Sequence, residues 1–224
     1  MARVPVLSVE VSDVQTGPMP VTRGFTGKRR GEAAGRSDRL PPGQYDVGRE
    51  WPTLTAEATP HLDPEHWSIT VDGLVDKPVT WSWRELHALP GDSYFGDIHC
   101  VTTWSRFDVT FAGVSVDVLL EAAGPLPGAA YVMAHATTGY TTNLPLADVT
   151  GGKAWVVWEA DGKPLSDEHG GPVRLLVPHL YFWKSAKWVT RLELMARDQP
   201  GFWEQNGYHD RGDPWLEQRY QGDP

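Results

Sequence analysis

Apolar and polar residues alternate along much of the chain after residue 51, and this pattern predicts strands. Residues 67–73, WSITVDG, alternate and end in an Asp-Gly pair, which indicates a strand followed by a tight turn. The same signals predict further strands, at residues 79–81, 93–101, 131–134, 155–158, 173–177 and 188–195. Strands outnumber helices, so the predicted fold class is α+β, with a mixed-sheet core and short helices.

The helices are predicted from their end signals. Ser82, with Glu85 three residues later, has the pattern of a capping box, and the helix that it opens stops at a Pro-Gly pair. A second helix is predicted over residues 115–123, which a Gly-Pro pair follows. Asn143, with Pro145 close behind it, predicts the entrance to a helical turn in which Asn143 is the N-cap.

The first 50 residues show no sustained period and are rich in Gly, Pro and Arg. We therefore predict an extended, partly disordered N-terminal arm over residues 1–50, with residues 1–22 as a disordered or surface-draped tail. Residues 51–224 are predicted to form one compact domain.

Composition and charge exclude several classes of protein. The chain has 20 Lys and Arg against 29 Asp and Glu, a net charge of −9, which argues against nucleic acid as a partner. No apolar run reaches the roughly 18 residues of a membrane helix, and residues 1–24 lack the apolar core of an export signal. We therefore expect a cytoplasmic protein without stable membrane association.

The single cysteine, Cys100, excludes an intrachain disulfide, a CxxC redox pair and a Cys-rich zinc site. Three interpretations of Cys100 remain open. It could be a small buried apolar residue, a nucleophile with a distant histidine as base, or one thiolate ligand to a soft metal whose other ligands come from a cofactor. His99 does not by itself make a dyad, because neighbouring residues of a strand point to opposite faces.

A positive cluster follows later in this acidic chain. His169 and Arg174 flank a Gly-Gly-Pro turn at residues 170–172, and Lys184 and Lys187 come within 13 residues of Arg174. Arg and Lys suit phosphate, and the glycines would let backbone approach a ligand closely. The alternatives are an anion site and an ordinary basic surface loop. No P-loop or GxGxxG motif points to a standard nucleotide fold.

Four ordered motifs together resemble one family. They are HCVTTWS at 99–105, GYTTNLPL at 139–146, HGGPVRLLVP at 169–178 and KSAKW at 184–188. They are similar to the molybdopterin-binding domain of the sulfite oxidase family, above all to small bacterial members related to the methionine sulfoxide reductase catalytic subunit. The resemblance covers about residues 50–210, and RGFTGKRR at 23–30 is also typical of the small members.

The resemblance implies a cofactor, molybdenum-molybdopterin, and a residue for each task. Cys100 matches the thiolate ligand of the metal, and His169 and Arg174 match the pair that holds the pterin and its phosphate. The next cofactor-binding tripeptide corresponds to Ser185, Ala186 and Lys187. Thr137 falls where the family has another pterin contact. Tyr208 matches the tyrosine that sits over the metal.

The resemblance implies a molybdopterin-dependent oxidoreductase that carries out two-electron, oxygen-atom-transfer chemistry on a small molecule of the sulfoxide, N-oxide or sulfur oxyanion type. A separate electron-transfer partner is also expected. Sulfite itself is disfavoured because Val101 to Ser105 stand where sulfite oxidases have basic residues. We expect Trp104 and Arg106 to shape the pocket. The alternatives are a non-catalytic cofactor-binding module and a cysteine hydrolase with Cys100 as its nucleophile.

Overall fold

The computed structural model describes residues 37–224, which belong to one compact unit. Eleven strands are found among these residues: β1 Tyr45–Asp46, β2 Ser68–Gly73, β3 Val79–Ser82, β4 Asp92–His99, β5 Trp104–Ser115, β6 Tyr131–Ala136, β7 Thr141–Pro145, β8 Trp155–Ala160, β9 Lys163–Pro164, β10 Arg174–Leu176 and β11 Val189–Met195. The α-helices of the same part of the chain are α1 Trp83–Ala88, α2 Val116–Ala123, α3 Leu146–Val149 and α4 Phe202–Gln205. Single 3₁₀ turns span Ser37–Arg39, Pro64–His66, Asp167–His169 and Phe182–Lys184.

The strands form two mixed sheets. The first has the order β1-β5-β8-β10, with β4 also paired to β5 and β9 to β8, and the second has the order β3-β2-β11-β6-β7. Strand β1 runs parallel to β5 and β2 runs parallel to β11, whereas the other pairs are antiparallel. The predicted α+β class with a mixed-sheet core and short helices is confirmed.

Two apolar clusters form the core. The larger lies among both sheets and α2 and includes Ile69, Leu119 and Leu175, all 0% exposed. The smaller includes Phe111 and Cys100 and lies against the first sheet. The loops that meet where these clusters adjoin carry the candidate site.

Local sequence signals explain both main helices. Ser82 Oγ accepts a hydrogen bond from Glu85 N, and the Glu85 carboxylate accepts one from Ser82 N at 2.9 Å, which is the predicted capping box. Helix α2 ends at Gly124, whose φ of 69° is the left-handed conformation that glycine adopts without strain.

A helical turn follows Pro145 as predicted, but the assignment of Asn143 as its N-cap is wrong. Asn143 lies inside β7, where it pairs with Met133, and helix α3 begins only at Leu146, after Pro145. The physical reason is burial: Asn143 is fully buried and its amide donates to Asp198 Oδ1 at 2.8 Å, so its side chain serves tertiary contacts rather than a helix end.

The N-terminal boundary at residue 51 stays a prediction. Tyr45 and Asp46 already pair with Trp104 and Ser105 of β5, and Arg39 Nε donates to Asp97 Oδ2 at 2.9 Å. The RGFTGKRR stretch lies outside the described residues. Within residues 37–224, no helix has the length and apolar character that crossing a bilayer requires.

Candidate functional site

A cavity opens where loops from both sheets and the segment 51–57 meet. Counted with its open mouth, it holds about 830 Å³. Its walls are mostly apolar and rich in aromatic rings, with a few convergent polar groups. The lining residues are 51–57, Cys100, Val101, Trp104, Tyr140, His169, Arg174, 182–183, 185–188, Trp203 and Tyr208.

Cys100 lies at the end of β4, in a tight turn that brings its thiol to the cavity. Its N–H donates to Trp104 O at 2.8 Å, and its Sγ is 3.1 Å from Thr102 Oγ1. The residue is 8% exposed. Burial raises the pKa of the thiol above its ordinary value, while the Thr102 contact and the charges of Lys187 and Arg219 act in the opposite direction. A bound cation would be needed to hold a thiolate here.

Arg174, in β10, is a buried guanidinium held by backbone carbonyls. It is 1% exposed and donates to His169 O at 2.8 Å and Ser185 O at 2.7 Å, while its plane lies 4.0 Å from the Phe182 ring centroid. None of the ion pairs found in residues 37–224 involves it. Burial lowers its pKa to about 9. A buried, uncompensated cation is costly, and an anion in the cavity would offset that cost.

His169 and Lys187 hold the segment 51–57 over the cavity. His169 Nε2 lies 3.1 Å from Trp51 O, and its ring stacks on that of Trp51 at 4.0 Å. Lys187 Nζ donates to Leu54 O at 3.0 Å. Burial lowers the pKa of His169 below its ordinary value and that of Lys187 to about 8. Lys187 therefore adds to the positive potential around Arg174 without a carboxylate bonded to it, whereas the lowered pKa of His169 favours its neutral form.

The predicted tripeptide lies in the same wall. Ser185 and Ala186 are buried, and Ser185 Oγ accepts from Val177 N at 2.9 Å, which fixes the loop beside Arg174. The close approach of the Gly-Gly turn to a ligand stays a prediction. A Cβ on Gly170 would lie 2.9 Å from Lys187 Cβ, so this glycine allows close packing of the chain against Lys187.

Tyr208 lines the same cavity, where it packs among aromatic side chains. Its ring centroid is 5.4 Å from that of Trp183 and 4.9 Å from that of Trp203. Burial raises its pKa above the ordinary value, so the hydroxyl keeps its proton at neutral pH. The site therefore has a phenol that can donate a hydrogen bond.

The structure gathers all but one of the predicted site residues around the cavity. The exception is Thr137, which is exposed, does not line the cavity and contacts Trp188 O through its N–H at 3.0 Å. Its role as a pterin contact stays a prediction. Trp104 lines the cavity as expected, whereas Arg106 lines a separate hollow and pairs with Asp161.

Sequence reasoning missed other parts of the site. It left residues 51–57 unassigned and did not single out Tyr140 or Trp183, although the 11 tryptophans of the chain were a signal for an aromatic pocket. It also placed Lys184 in the positive cluster, which is wrong. Lys184 is fully buried away from the cavity, with Glu204 as its ion-pair partner at 2.6 Å.

A buried thiol beside an uncompensated guanidinium, in a mixed two-sheet fold, is the pattern expected of a protein that binds an anionic cofactor. Comparison with known families names that class more closely. Residues 56–203 match the model of the oxidoreductase molybdopterin binding domain. The chain therefore belongs to this family of oxidoreductases, and the sequence-based prediction of family and enzyme class is confirmed.

Curated relatives agree with this assignment. The chain is 44% identical over 200 residues to the uncharacterized oxidoreductase YuiH of Bacillus subtilis strain 168, covering 89% of this chain and 100% of that protein. It is 28% identical to the putative protein-methionine-sulfoxide reductase subunit YedZ1 of Azospira oryzae, over 66% of this chain, and 25% identical to the protein-methionine-sulfoxide reductase catalytic subunit MsrP of Gluconobacter oxydans, over 71%. It spans 56% of each of these two relatives.

A solved structure shares the fold. The sulfane dehydrogenase SoxCD of Paracoccus pantotrophus superposes with a TM-score of 0.60 at 21% identity, covering 71% of this chain and 47% of that one. This similarity supports the architecture of the two mixed sheets.

Proposed function

We propose that the protein is a molybdenum-molybdopterin oxidoreductase that transfers an oxygen atom to or from a small molecule, with Cys100 as the protein's ligand to the metal. One observation carries the proposal. The thiol of Cys100 and the uncompensated guanidinium of Arg174 line a single cavity. A soft thiolate suits a metal that also has sulfur ligands, and a buried guanidinium suits a phosphate.

The residues around the cavity fit the cofactor. Arg174 and Lys187 would hold its phosphate, His169 would contact the pterin from the cavity wall, and the buried Ser185–Ala186 loop would give the wall its shape. When bound, the molybdenum centre supplies two-electron redox chemistry. The protein's contribution is binding, orientation and electrostatics.

In the same cavity, Tyr208 would donate a hydrogen bond to the substrate oxygen. The rings of Trp183 and Trp203 pack against the Tyr208 ring and hold it in place. Among residues 37–224, the Arg and Lys side chains that line the cavity are Arg174 and Lys187, and the cofactor's phosphate would occupy both, which favours a sulfoxide or N-oxide over sulfite. Relatives named as reductase subunits support a separate electron-transfer partner. A cytoplasmic location stays a prediction.

Metal and pterin analysis of purified protein tests the proposal. Protein from a host that makes molybdopterin should contain close to one molybdenum per chain and reduce dimethyl sulfoxide or an N-oxide with a reduced viologen dye. Cys100→Ser should have at least about tenfold lower molybdenum content or activity than the wild type. Ser93→Ala, an exposed control on β4, should match the wild type in both. The proposal would be contradicted if wild-type protein purified from such a host contained no molybdenum. If metal-free protein were alkylated at Cys100 by an electrophile and also catalysed hydrolysis, a cysteine hydrolase would be favoured.

A further inference from the structure

Lys184 and Glu204 form a buried ion pair that none of the roles above uses. Both side chains are 0% exposed, and Lys184 Nζ lies 2.6 Å from Glu204 Oε1. We propose that this pair is a positioning device that holds Tyr208 and its tryptophan neighbours in place against the cavity. The proposal rests on the proposed function, in which Tyr208 donates a hydrogen bond to the substrate.

Lys184 ties together separate segments of the chain. Besides Glu204 of α4, its Nζ donates to Asn143 O at 2.8 Å and Asn143 Oδ1 at 3.1 Å, both in β7. It also donates to Asp210 O, two residues beyond Tyr208. The ammonium group thus joins the 3₁₀ turn at 182–184, β7, α4 and the loop that carries Tyr208.

Glu204 continues the network to the cavity wall. Its Oε1 also accepts from Trp183 Nε1 at 2.9 Å, and its backbone carbonyl accepts from Gly207 N at 3.2 Å. Tyr208 N donates to Trp203 O at 3.1 Å, so Gly207 and Tyr208 are bonded to α4 and Asp210 is bonded to Lys184. Both tryptophans contact the Tyr208 ring.

Stability does not explain why the chain has charges here. Replacing a buried ion pair with neutral or apolar groups of similar size is often neutral or stabilising, because desolvation of two charges offsets their attraction. A charged pair with fixed hydrogen bonds does, however, specify one arrangement of the segments that it joins. That arrangement is the one that places Tyr208.

Hydrogen exchange tests the positional claim without any reference to catalysis. The double variant Lys184→Met/Glu204→Gln of the full chain removes both charges and leaves an acceptor for Trp183. We expect the amides of residues 207–212 to exchange at least about tenfold faster, with those of β2 and β11 unchanged. A double variant with wild-type exchange at 207–212 would overturn the proposal. If the double variant does not fold, the isosteric Glu204→Gln is measured with the same criterion.

Kinetics of the molybdenum-loaded protein then test whether the Lys184–Glu204 pair affects catalysis through Tyr208. With dimethyl sulfoxide as the probe, the double variant should lose up to about 100-fold in kcat/KM at unchanged molybdenum content, since small misplacements have large kinetic effects. Added to Tyr208→Phe, it should cause no further loss. Additive losses would overturn the proposal.

The matched control removes a pair in the second sheet, where Arg191 Nε lies 2.8 Å from Asp72 Oδ1 and neither residue lines the cavity. Arg191→Met/Asp72→Asn should alter neither the exchange of residues 207–212 nor kcat/KM. Equal effects from both double variants would assign the Lys184 pair a general structural role and overturn the proposal. Because hydrogen exchange needs no cofactor, its result stands even if the purified protein contains no molybdenum.

Discussion

Arg174→Met tests two properties of this buried guanidinium separately: the free energy that its burial costs and its role in binding an anion. In the cofactor-free protein the hydrogen-bond partners of the guanidinium are carbonyl oxygens, and burial lowers its pKa from the ordinary value to about 9. A lowering of this size corresponds to roughly 5 kcal/mol against keeping the charge in the folded state. The substitution removes this penalty, and methionine fills a similar apolar space.

The loss of hydrogen bonds opposes this gain. Two buried carbonyls, those of His169 and Ser185, lose a donor, at roughly 1–3 kcal/mol each. The two effects nearly cancel, so we expect the free energy of unfolding of the cofactor-free protein to change by less than about 3 kcal/mol. The affinity for a phosphate group should nevertheless be lost, because Arg174 supplies the buried charge.

Urea unfolding of cofactor-free protein, with and without pyrophosphate, measures both effects. Pyrophosphate at 100 times its dissociation constant should stabilise the wild type by about 2.7 kcal/mol and leave Arg174→Met unchanged. Arg191→Met, which removes an arginine that already has carboxylate partners, should keep the wild-type response. If Arg174→Met were destabilised by more than about 5 kcal/mol, or if pyrophosphate did not stabilise the wild type, the assignment of Arg174 to an anion would be refuted.

Three further outcomes are expected. Tyr208→Phe should lower kcat about 100-fold at unchanged molybdenum content, because it removes one donor to the reacting oxygen; an unchanged kcat would contradict that role. Ser82→Ala should lower the free energy of unfolding by about 1 kcal/mol in urea, because it removes the N-cap of α1; no loss would show that the cap is not stabilising. Burial raises the pKa of Asp148, but hydrogen bonds from His179 and Arg211 more than offset this and lower it to about 2. The stability that this lowered pKa contributes is present above pH 4 and lost as pH falls through 2. Unfolding followed against pH should therefore show about 2 kcal/mol lost in that window, and a smaller loss in Arg211→Met, in which the His179 hydrogen bond remains.

Strands with one buried face and helices with explicit caps could be predicted from the sequence. Strand β2 alternates because one side packs on the core and the other does not, and the Ser82 capping box acts within a few residues. Strand β5 was not predicted. Residues 104–107 are buried on both faces, so they do not alternate, and Asp108, at φ 58°, interrupts the pattern.

The cofactor side of the site was predictable, whereas its aromatic side was mostly not. Cys100, His169 and Arg174 stand out because their residue types are rare or clustered in this chain. Lys184 and Lys187 look alike in sequence, yet one pairs with Glu204 in the core and the other reaches the cavity. Only tertiary structure decides between them, because Glu204 is 20 residues further along the chain.

X-ray absorption at the molybdenum edge tests the central claim most directly, because it reports the number of sulfur atoms bound to the metal. We predict that wild-type protein shows one more sulfur ligand than Cys100→Ser reconstituted with the same cofactor. An identical sulfur count in the two proteins would contradict the assignment of Cys100 as the protein's ligand to molybdenum.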